Sequence, residues 1–378
     1  MRRNFVIVIS ALILAVIMCA PAMARTKLVA LPMRGDTVIR LDNPTATLIE
    51  EERTLTLEKG VNRIDFSWNG VSIDPDSIRL TPLSHPDQVI LLNVSYPPEE
   101  AALVWEVSSQ DAFEEKVRIS YLLANIDRII EYKAVADKDE TVLDFRTFLV
   151  LRNFSGEDFQ QVHVTLDQGT GVDTAIAHEE TKKVLFHQAP KIKFDKVWTF
   201  DAVKLPWDPE KVTGNVGIPV TYRIKNDKSA SLGEQTLRSG KVRVFQDDGH
   251  GGSIFLGEDR IEPVPVGEDA EVAIGDSRDI VVTQRKMRDE KINIRRNTSN
   301  QVVMYETDEE IKAVMENFKD KPAVLTVIQH IDGPWEMKQC NMEYEREDAR
   351  TLKFEVQLPP KGKKELTMNY RRLIVNGL

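Results

Sequence analysis

The chain has 378 residues, with 50 Lys and Arg against 60 Asp and Glu, a formal net charge of −10, and two cysteines. An acidic balance disfavours non-specific binding to nucleic acid or anionic lipid, and two cysteines exclude a disulfide scaffold or a multi-cysteine zinc site. At ~150 residues per domain the length predicts two or three domains.

The first element in chain order is a leader. Arg2 and Arg3 precede an almost wholly apolar run from Phe5 to Cys19, and Ala22-Met23-Ala24 places small residues where a signal peptidase accepts them. This is the three-part pattern of a secretory signal peptide over residues 1–24. The run is about 15 residues long, short of the ~20 that cross a bilayer as a helix. An uncleaved anchor is the alternative. Met18 before Cys19 argues against a lipoprotein signal, and the twin-arginine likeness of Arg2-Arg3 is faint. Cleavage removes Cys19 and leaves Cys340 as the remaining thiol, which is read as buried and inert or as free to pair between chains.

After an extended lead-in over 25–37, period-two alternation recurs. It marks Leu55 and Leu57, then, past the turn Glu58-Lys59-Gly60, Ile64, Phe66 and Trp68. It continues through Leu103, Trp105 and Val107, then Val117, Ile119 and Tyr121, then Leu143, Phe145, Thr147, Leu149 and Leu151. Val162, Val164 and Leu166 follow, and near the end Leu352 to Leu358 and Leu366, Met368 and Tyr370. Successive strand side chains face opposite sides, so each run buries one face. The expected fold is all-β, built of tandem antiparallel, immunoglobulin-like β-sandwich modules. Turns are expected at Asn153–Gly156, Asp247–Gly249 and Pro359–Gly362. Tyr96–Glu100 is expected to end a first module (25–97). A central sandwich (98–225) contains the crossover Leu205–Pro209, and a C-terminal sandwich (226–378) follows.

One segment carries a competing pattern. Ile311, Val314, Met315 and Phe318 are spaced as a helical stripe, and their neighbours Glu309, Glu310, Lys312 and Ala313 favour helix.

The search for chemistry finds no nucleophile elbow, zinc-protease motif, Cys-x-x-Cys pair or phosphate-binding glycine loop. Gly169-Thr170-Gly171 reads as a turn, His163 as a surface strand residue and His178-Glu179-Glu180 as a solvated loop. The basic cluster Arg285, Lys286, Arg288, Lys291, Arg295 and Arg296 reads as a solvated hairpin or loop. The loop from Asp247 to Gly252 has the oxygen ligands of a calcium site, but tight hairpin turns use the same residues, and no further acid comes before Glu258 and Asp259. Tyr121, Tyr132 and the five tryptophans are read as packing in preference to a carbohydrate groove.

From Tyr222 onward the residues form an ordered series of blocks. These are Asn226, Leu232-Gly233, Leu237, Gly240, Val242-Arg243-Val244-Phe245, Gly257-Glu258-Asp259, Ile261, Gly267-Glu268, and Gly275 to Ile280. The series resembles the C-terminal part of the bacterial domain of unknown function 4139 family. The segments Glu50–Leu80, Ser120–Ala134, Leu151–Gly169 and Glu316–Met337 resemble its other strands and turns, so the likeness spans nearly the whole chain after the leader. Glu262-Pro263-Val264 and Ser277-Arg278 depart from the family's usual residues, and only 97–115 stands where longer relatives carry a coiled coil. The resemblance implies an all-β protein exported from a bacterial cytoplasm to the periplasm, and implies no catalytic residues. It also implies a strand over Tyr305–Asn317, against the helical stripe.

Two functions are expected from this sequence. The first is a non-catalytic envelope binding or structural module with an envelope protein or surface polymer as partner, and no nucleic acid, metal, cofactor or membrane span after cleavage. The second is a hydrolase of an envelope polymer using Glu258, Asp259 or Asp279 as acid and base, which needs paired carboxyls across a cleft. Gly257-Glu258-Asp259 is otherwise expected to be a hairpin turn. No catalytic, cofactor or metal residue is assigned.

Overall fold

The computed structural model describes residues 27–375 apart from 30, 167–169, 206, 207 and 231. The leader, Cys19 and part of the Leu205–Pro209 crossover lie outside the described residues. Among those described there is no α-helix, only strands and three short 3-10 turns. No helix among them is long and apolar enough to cross a membrane.

The strands are β1 (Lys27–Val29), β2 (Thr37–Arg40), β3 (Thr47–Leu57), β4 (Gly60–Ser67), β5 (Arg79–Pro82), β6 (Val89–Ser95), β7 (Ala102–Ser109), β8 (Phe113–Leu123), β9 (Ile126–Ala136), β10 (Val142–Asn153), β11 (Phe159–Leu166), β12 (Thr170–Ile176) and β13 (Glu180–Lys193). Then come β14 (Asp195–Asp201), β15 (Lys211–Val212), β16 (Ile218–Lys225), β17 (Gly240–Asp247), β18 (Ser253–Ile261), β19 (Asp269–Ser277), β20 (Ile280–Arg296), β21 (Val302–Asn317), β22 (Ala323–His330), β23 (Trp335–Cys340), β24 (Glu345–Arg346), β25 (Thr351–Leu358) and β26 (Lys363–Val375).

The chain divides into two compact units. One runs to Arg128 and adds Val150–Val184; the other is Ile129–Leu149 with Leu185 onward. The first holds a four-stranded sheet, β1-β4-β7-β6, and a six-stranded sheet, β12-β11-β2-β3-β8-β5. Phe66 of one sheet meets Tyr121 of the other at 5.9 Å between ring centroids, which places the two inner faces against each other. The second unit holds the sheets β19-β16-β14-β22-β25-β24 and β15-β20-β21-β26-β23, plus most of the sheet β13-β10-β9-β17-β18. The first two of these enclose a core of Trp198, Phe200, Leu325, Val327 and Phe354 against Ile311, Met315, Leu366 and Met368.

Every apolar residue that the alternation singles out between Leu55 and Tyr370 is buried. Corners turn where the expected signals stand. At Glu58–Gly60 the chain leaves one sheet for the other, and Asn62 ties the corner by donating to the Glu58 carbonyl (2.8 Å) and accepting from the Glu58 amide (2.9 Å). At Gly156 (φ 89°) a Cβ would lie 2.0 Å from the Gly70 carbonyl oxygen, so only glycine fits that turn.

Three expectations are corrected. The sheets are not purely antiparallel: β1 pairs parallel with β4, β11 with β2, β17 with β9 and β14 with β22. Alternation specifies which face a strand buries but not its neighbour, so returning strands were invisible to it. Gly257-Glu258-Asp259 is not a hairpin turn; it lies within β18, where Glu258 pairs with Arg243 and Asp259 with Val242. Gly171 likewise sits inside β12, opposite Thr165.

The segment with competing patterns is strand. In β21 the buried residues are Thr307, Glu309, Ile311, Ala313, Met315 and Asn317, a strict period of two, while Phe318 is 54% exposed. Two polar members of the buried row, Thr307 and Glu309, hid the alternation.

Candidate interaction surface

Strand β6 reads Val-Ile-Leu-Leu-Asn-Val-Ser, seven residues without a charge, between Asp87 and Glu99-Glu100. A short unbroken apolar run normally marks a strand buried on both faces. Here it is an edge strand: β7 pairs with it on one side, and no strand pairs with its other side among the described residues. Ile90, Leu91, Leu92, Val94 and the following Tyr96 are all exposed, by 56, 46, 50, 37 and 52%.

The register explains the exposure. Residues directly opposite on paired strands share a face. Leu91 lies opposite Val107 and Val94 opposite Trp105. Val107 and Trp105 are buried in the core. The inner row of β6 therefore continues the core-facing row of its sheet past the point where anything covers it. Ile90, opposite the outward Ser108, adds an apolar side chain to the outer face. A bulge at Leu92 gives the strand one residue more than β7 opposes.

The strand is held firmly at its entry. Glu115 is fully buried and its carboxylate accepts from the amides of Leu83, Ser84 and His85 at 2.9 to 3.1 Å, with His85 Nδ1 at 2.8 Å. The His85 ring packs on Phe113, 4.6 Å between centroids. Midway along, Asn93 donates to Glu106 (2.6 Å) on the outer face, and Glu106 also meets Arg63 at 3.2 Å. The edge is thus a fixed, uncharged, apolar ribbon with unpaired backbone groups, which is the chemistry that an extended segment completes by strand addition.

The carboxylates considered for catalysis are placed otherwise. Glu258 pairs with Lys241 (2.8 Å) and Arg243 (2.7 Å), whose hydrogen bonds hold its carboxyl below the usual range. Asp259 accepts from the amides of Arg260 and Ala273, both at 2.7 Å. As consecutive residues within β18 the two leave opposite faces. Asp279 faces Lys319 at 3.6 Å.

Buried carboxylates occur elsewhere and are enclosed by donors. Glu309 accepts from Thr307 Oγ1 (2.6 Å), Tyr370 OH (2.9 Å) and Arg372 Nε (2.9 Å), and Lys286 Nζ stands 3.0 Å away. Burial raises its pKa, but the hydrogen bonds from Thr307 and Lys286 and the Arg372 charge outweigh burial and leave it lowered. Burial and the Glu309 charge together push the Tyr370 phenol up. Glu51, also fully buried, is clamped between Arg34 (2.6 Å) and Arg53 (2.8 Å). With its carboxyl held below the usual range, Glu309 is a poor proton acceptor at neutral pH.

The remaining candidates are local. The Asp247–Gly252 loop is the β17–β18 turn: Asp247 accepts from the Gly249 amide (2.7 Å), and Asp248 from the amides of His250 (2.7 Å) and Gly252 (2.9 Å). No group of three or more His, Cys, Asp or Glu suited to a metal occurs among the described residues. His163 bonds Asp173 across two strands (2.7 Å), and His178 Nδ1 accepts from the Gly156 amide (3.0 Å). The basic cluster lies on β20, where Arg288 meets Asp308 (3.4 Å) and Glu310 (3.1 Å). Tyr121 is fully buried, and Tyr132 is buried with its hydroxyl on the Arg238 carbonyl (2.8 Å). Trp68 and Trp105 pack around Phe66. Trp198 lines a groove of about 420 Å³ but is itself 4% exposed, with the ammoniums of Lys196 and Lys319 at 5.5 and 5.8 Å from its ring. Trp335 lies under Arg346, and Trp207 is outside the described residues. Cys340 is half-buried with its sulfur 3.2 Å from the Met342 carbonyl, and burial raises its pKa.

Sequence reasoning did not single out β6. The available signal was an uncharged seven-residue run flanked by acids in a chain that is otherwise rich in charge. The chain matches no family model and no curated protein.

Proposed function

We propose that this chain is a non-catalytic binding or structural module of a bacterial envelope, and that it makes its contact through the β6 edge. One observation carries the reading: the inner apolar row of a core sheet continues onto an edge strand that no strand among the described residues covers or pairs on its outer side. Apolar patches rimmed by polar residues mark interaction sites in soluble proteins. The buried carboxylates Glu51, Glu115 and Glu309 support a structural role for buried charge, since each is engaged by internal donors. Export to the periplasm rests on the leader of residues 1–24, with anchoring by an uncleaved leader as the alternative. Membership of the domain of unknown function 4139 family, in a short form without the coiled coil, rests on the ordered blocks from Asn226 to Ile280.

The test is affinity capture by the chain from Arg25 onward in its own envelope fraction, beside a Leu92→Lys variant. A charge at a half-exposed edge position leaves the fold intact and opposes an apolar partner strand. One stoichiometric species retained by the parent and reduced at least ~10-fold by the variant, a loss of ~1.4 kcal/mol, is expected. Equal retention by both would remove β6 from the contact.

A further inference from the structure

We infer that the tip of the β20–β21 hairpin docks on an anionic bilayer, its arginines among the headgroup phosphates and its apolar side chains beside them. The inference is independent of the β6 edge. From Lys291 to Tyr305 the hairpin carries three cations and no acid, although 60 of the 378 residues are acids. The end of β26 beside it, Leu373-Ile374-Val375, is uncharged. This end of the ribbon lies past the core, whose members nearest the tip are Ile311 of β21 and Tyr370 of β26.

Apolar side chains occupy both faces there. Residues directly opposite on paired strands share a face. Arg295, Met304 and Val375 lie in one such row, and Ile292, Glu306 and Leu373 in the next on the same face. Tyr305 lies opposite Ile374 on the other face, with the Lys291 ammonium 4.7 Å from its ring. Ile294 and Val375 are 47 and 49% exposed. The cations are not spent internally: Arg296 donates to the Asn300 carbonyl (2.9 Å), and neither it nor Lys291 nor Arg295 meets a carboxylate among the described residues. Glu306, the first acid after the turn, is engaged by Asn293 (2.6 Å) and Arg371 (3.7 Å). The turn is preformed, since Asn297 accepts from the amides of Ser299 (3.0 Å) and Gln301 (2.9 Å). Phosphates complete the arginines, and the headgroup layer also takes apolar side chains, which a soluble polyanion does not. With both faces apolar, the ribbon meets the surface tip first. No strand pairs with β20 beyond Arg285 on its outer side among the described residues, so its backbone needs polar surroundings and the tip stops at headgroup depth. The five residues from Ile292 to Arg296 span roughly 17 Å, further than the ~8 Å over which charge is felt in physiological salt. Most of the chain's acids therefore lie out of range of the surface.

The test is co-sedimentation of the chain from Arg25 onward with vesicles of phosphatidylcholine, alone or with roughly one-third phosphatidylglycerol. Binding to the anionic vesicles only is expected, with release as salt rises. Arg295→Gln combined with Arg296→Gln is expected to weaken it ~25-fold, at about fivefold per cation. Ile294→Ser is expected to weaken it at least ~3-fold through lost apolar contact. Lys59→Gln combined with Lys321→Gln removes the same charge at exposed sites elsewhere and is expected to bind as the parent does. All these side chains are exposed, so the fold is retained, which unfolding midpoints check. No binding, equal binding to both kinds of vesicle, or equal loss in the tip pair and the control pair would overturn the inference. Loss in the arginine pair with Ile294→Ser unchanged would also overturn it, because the ligand would then be a soluble polyanion.

Discussion

Glu309, Glu115 and Glu51 each occupy a position that the sheet turns inward, and each is compensated differently. Glu115 is satisfied by three backbone amides and a histidine, and so shapes the loop that leads into β6. Glu51 lies between two arginines. Glu309 is satisfied by a threonine, a tyrosine, an arginine and a lysine from three adjacent strands. Removing one member of a buried ion pair leaves the other uncompensated, so Glu309→Ala is expected to cost ~3–5 kcal/mol in urea unfolding at pH 7. The pH dependence has a definite sign. A carboxyl whose folded pKa is depressed contributes stability that is present above its unfolded value of ~4.3 and lost as pH falls through the folded one. The unfolding midpoint of the parent chain should therefore fall below about pH 4.3, and the Glu309→Ala variant should lose less over the same interval. An identical acid profile for both would show that Glu309 is not one of the groups that drive acid unfolding.

At the scale of elements, β21 decides between two periodicities. Its buried row includes Ala313 and Met315, which the strand period places inward, while Phe318 of the helical stripe lies at the surface. Met315→Ala should cost ~2–5 kcal/mol as a core truncation, whereas Phe318→Ala should stay within about 0.5 kcal/mol; comparable losses at both would contradict the strand. The faces of β3, β4, β7, β8, β10, β11, β25 and β26 were legible in the sequence because their apolar residues alternate without interruption. Pairing partners were not. β14 and β22 lie in parallel beside each other although more than a hundred residues separate them, and alternation holds no information about distant neighbours. The polar inward positions were illegible because a buried carboxylate reads as an outward residue until its donors are seen. The β6 edge was illegible for the opposite reason: an apolar run reads as buried, and exposure depends on whether another sheet reaches that far. The turn at Asp247–Gly252 was legible because its carboxylates cap their own backbone, a purely local device.

At the scale of the whole molecule, an acidic chain with a single thiol, Cys340, among its described residues is held together by sheet packing in two units. Its charges are largely spent within itself, as at Lys196 with Glu140 (2.6 Å), Arg40 with Glu50 (2.6 Å) and Arg118 with Glu52 (2.9 Å). Against that background the β6 edge is an uncharged apolar strand at the rim of its sheet, the surface proposed for the contact. Amide hydrogen exchange of the chain from Arg25 onward, compared between the free chain and the chain bound to the species it captures from its envelope fraction, tests this claim most directly. Unpaired edge amides exchange readily and slow when a strand is added. The account predicts slowing of at least ~10-fold concentrated in Val89–Ser95, equivalent to ~1.4 kcal/mol of added protection. Unchanged exchange across Val89–Ser95, with protection gained in another segment, would contradict it.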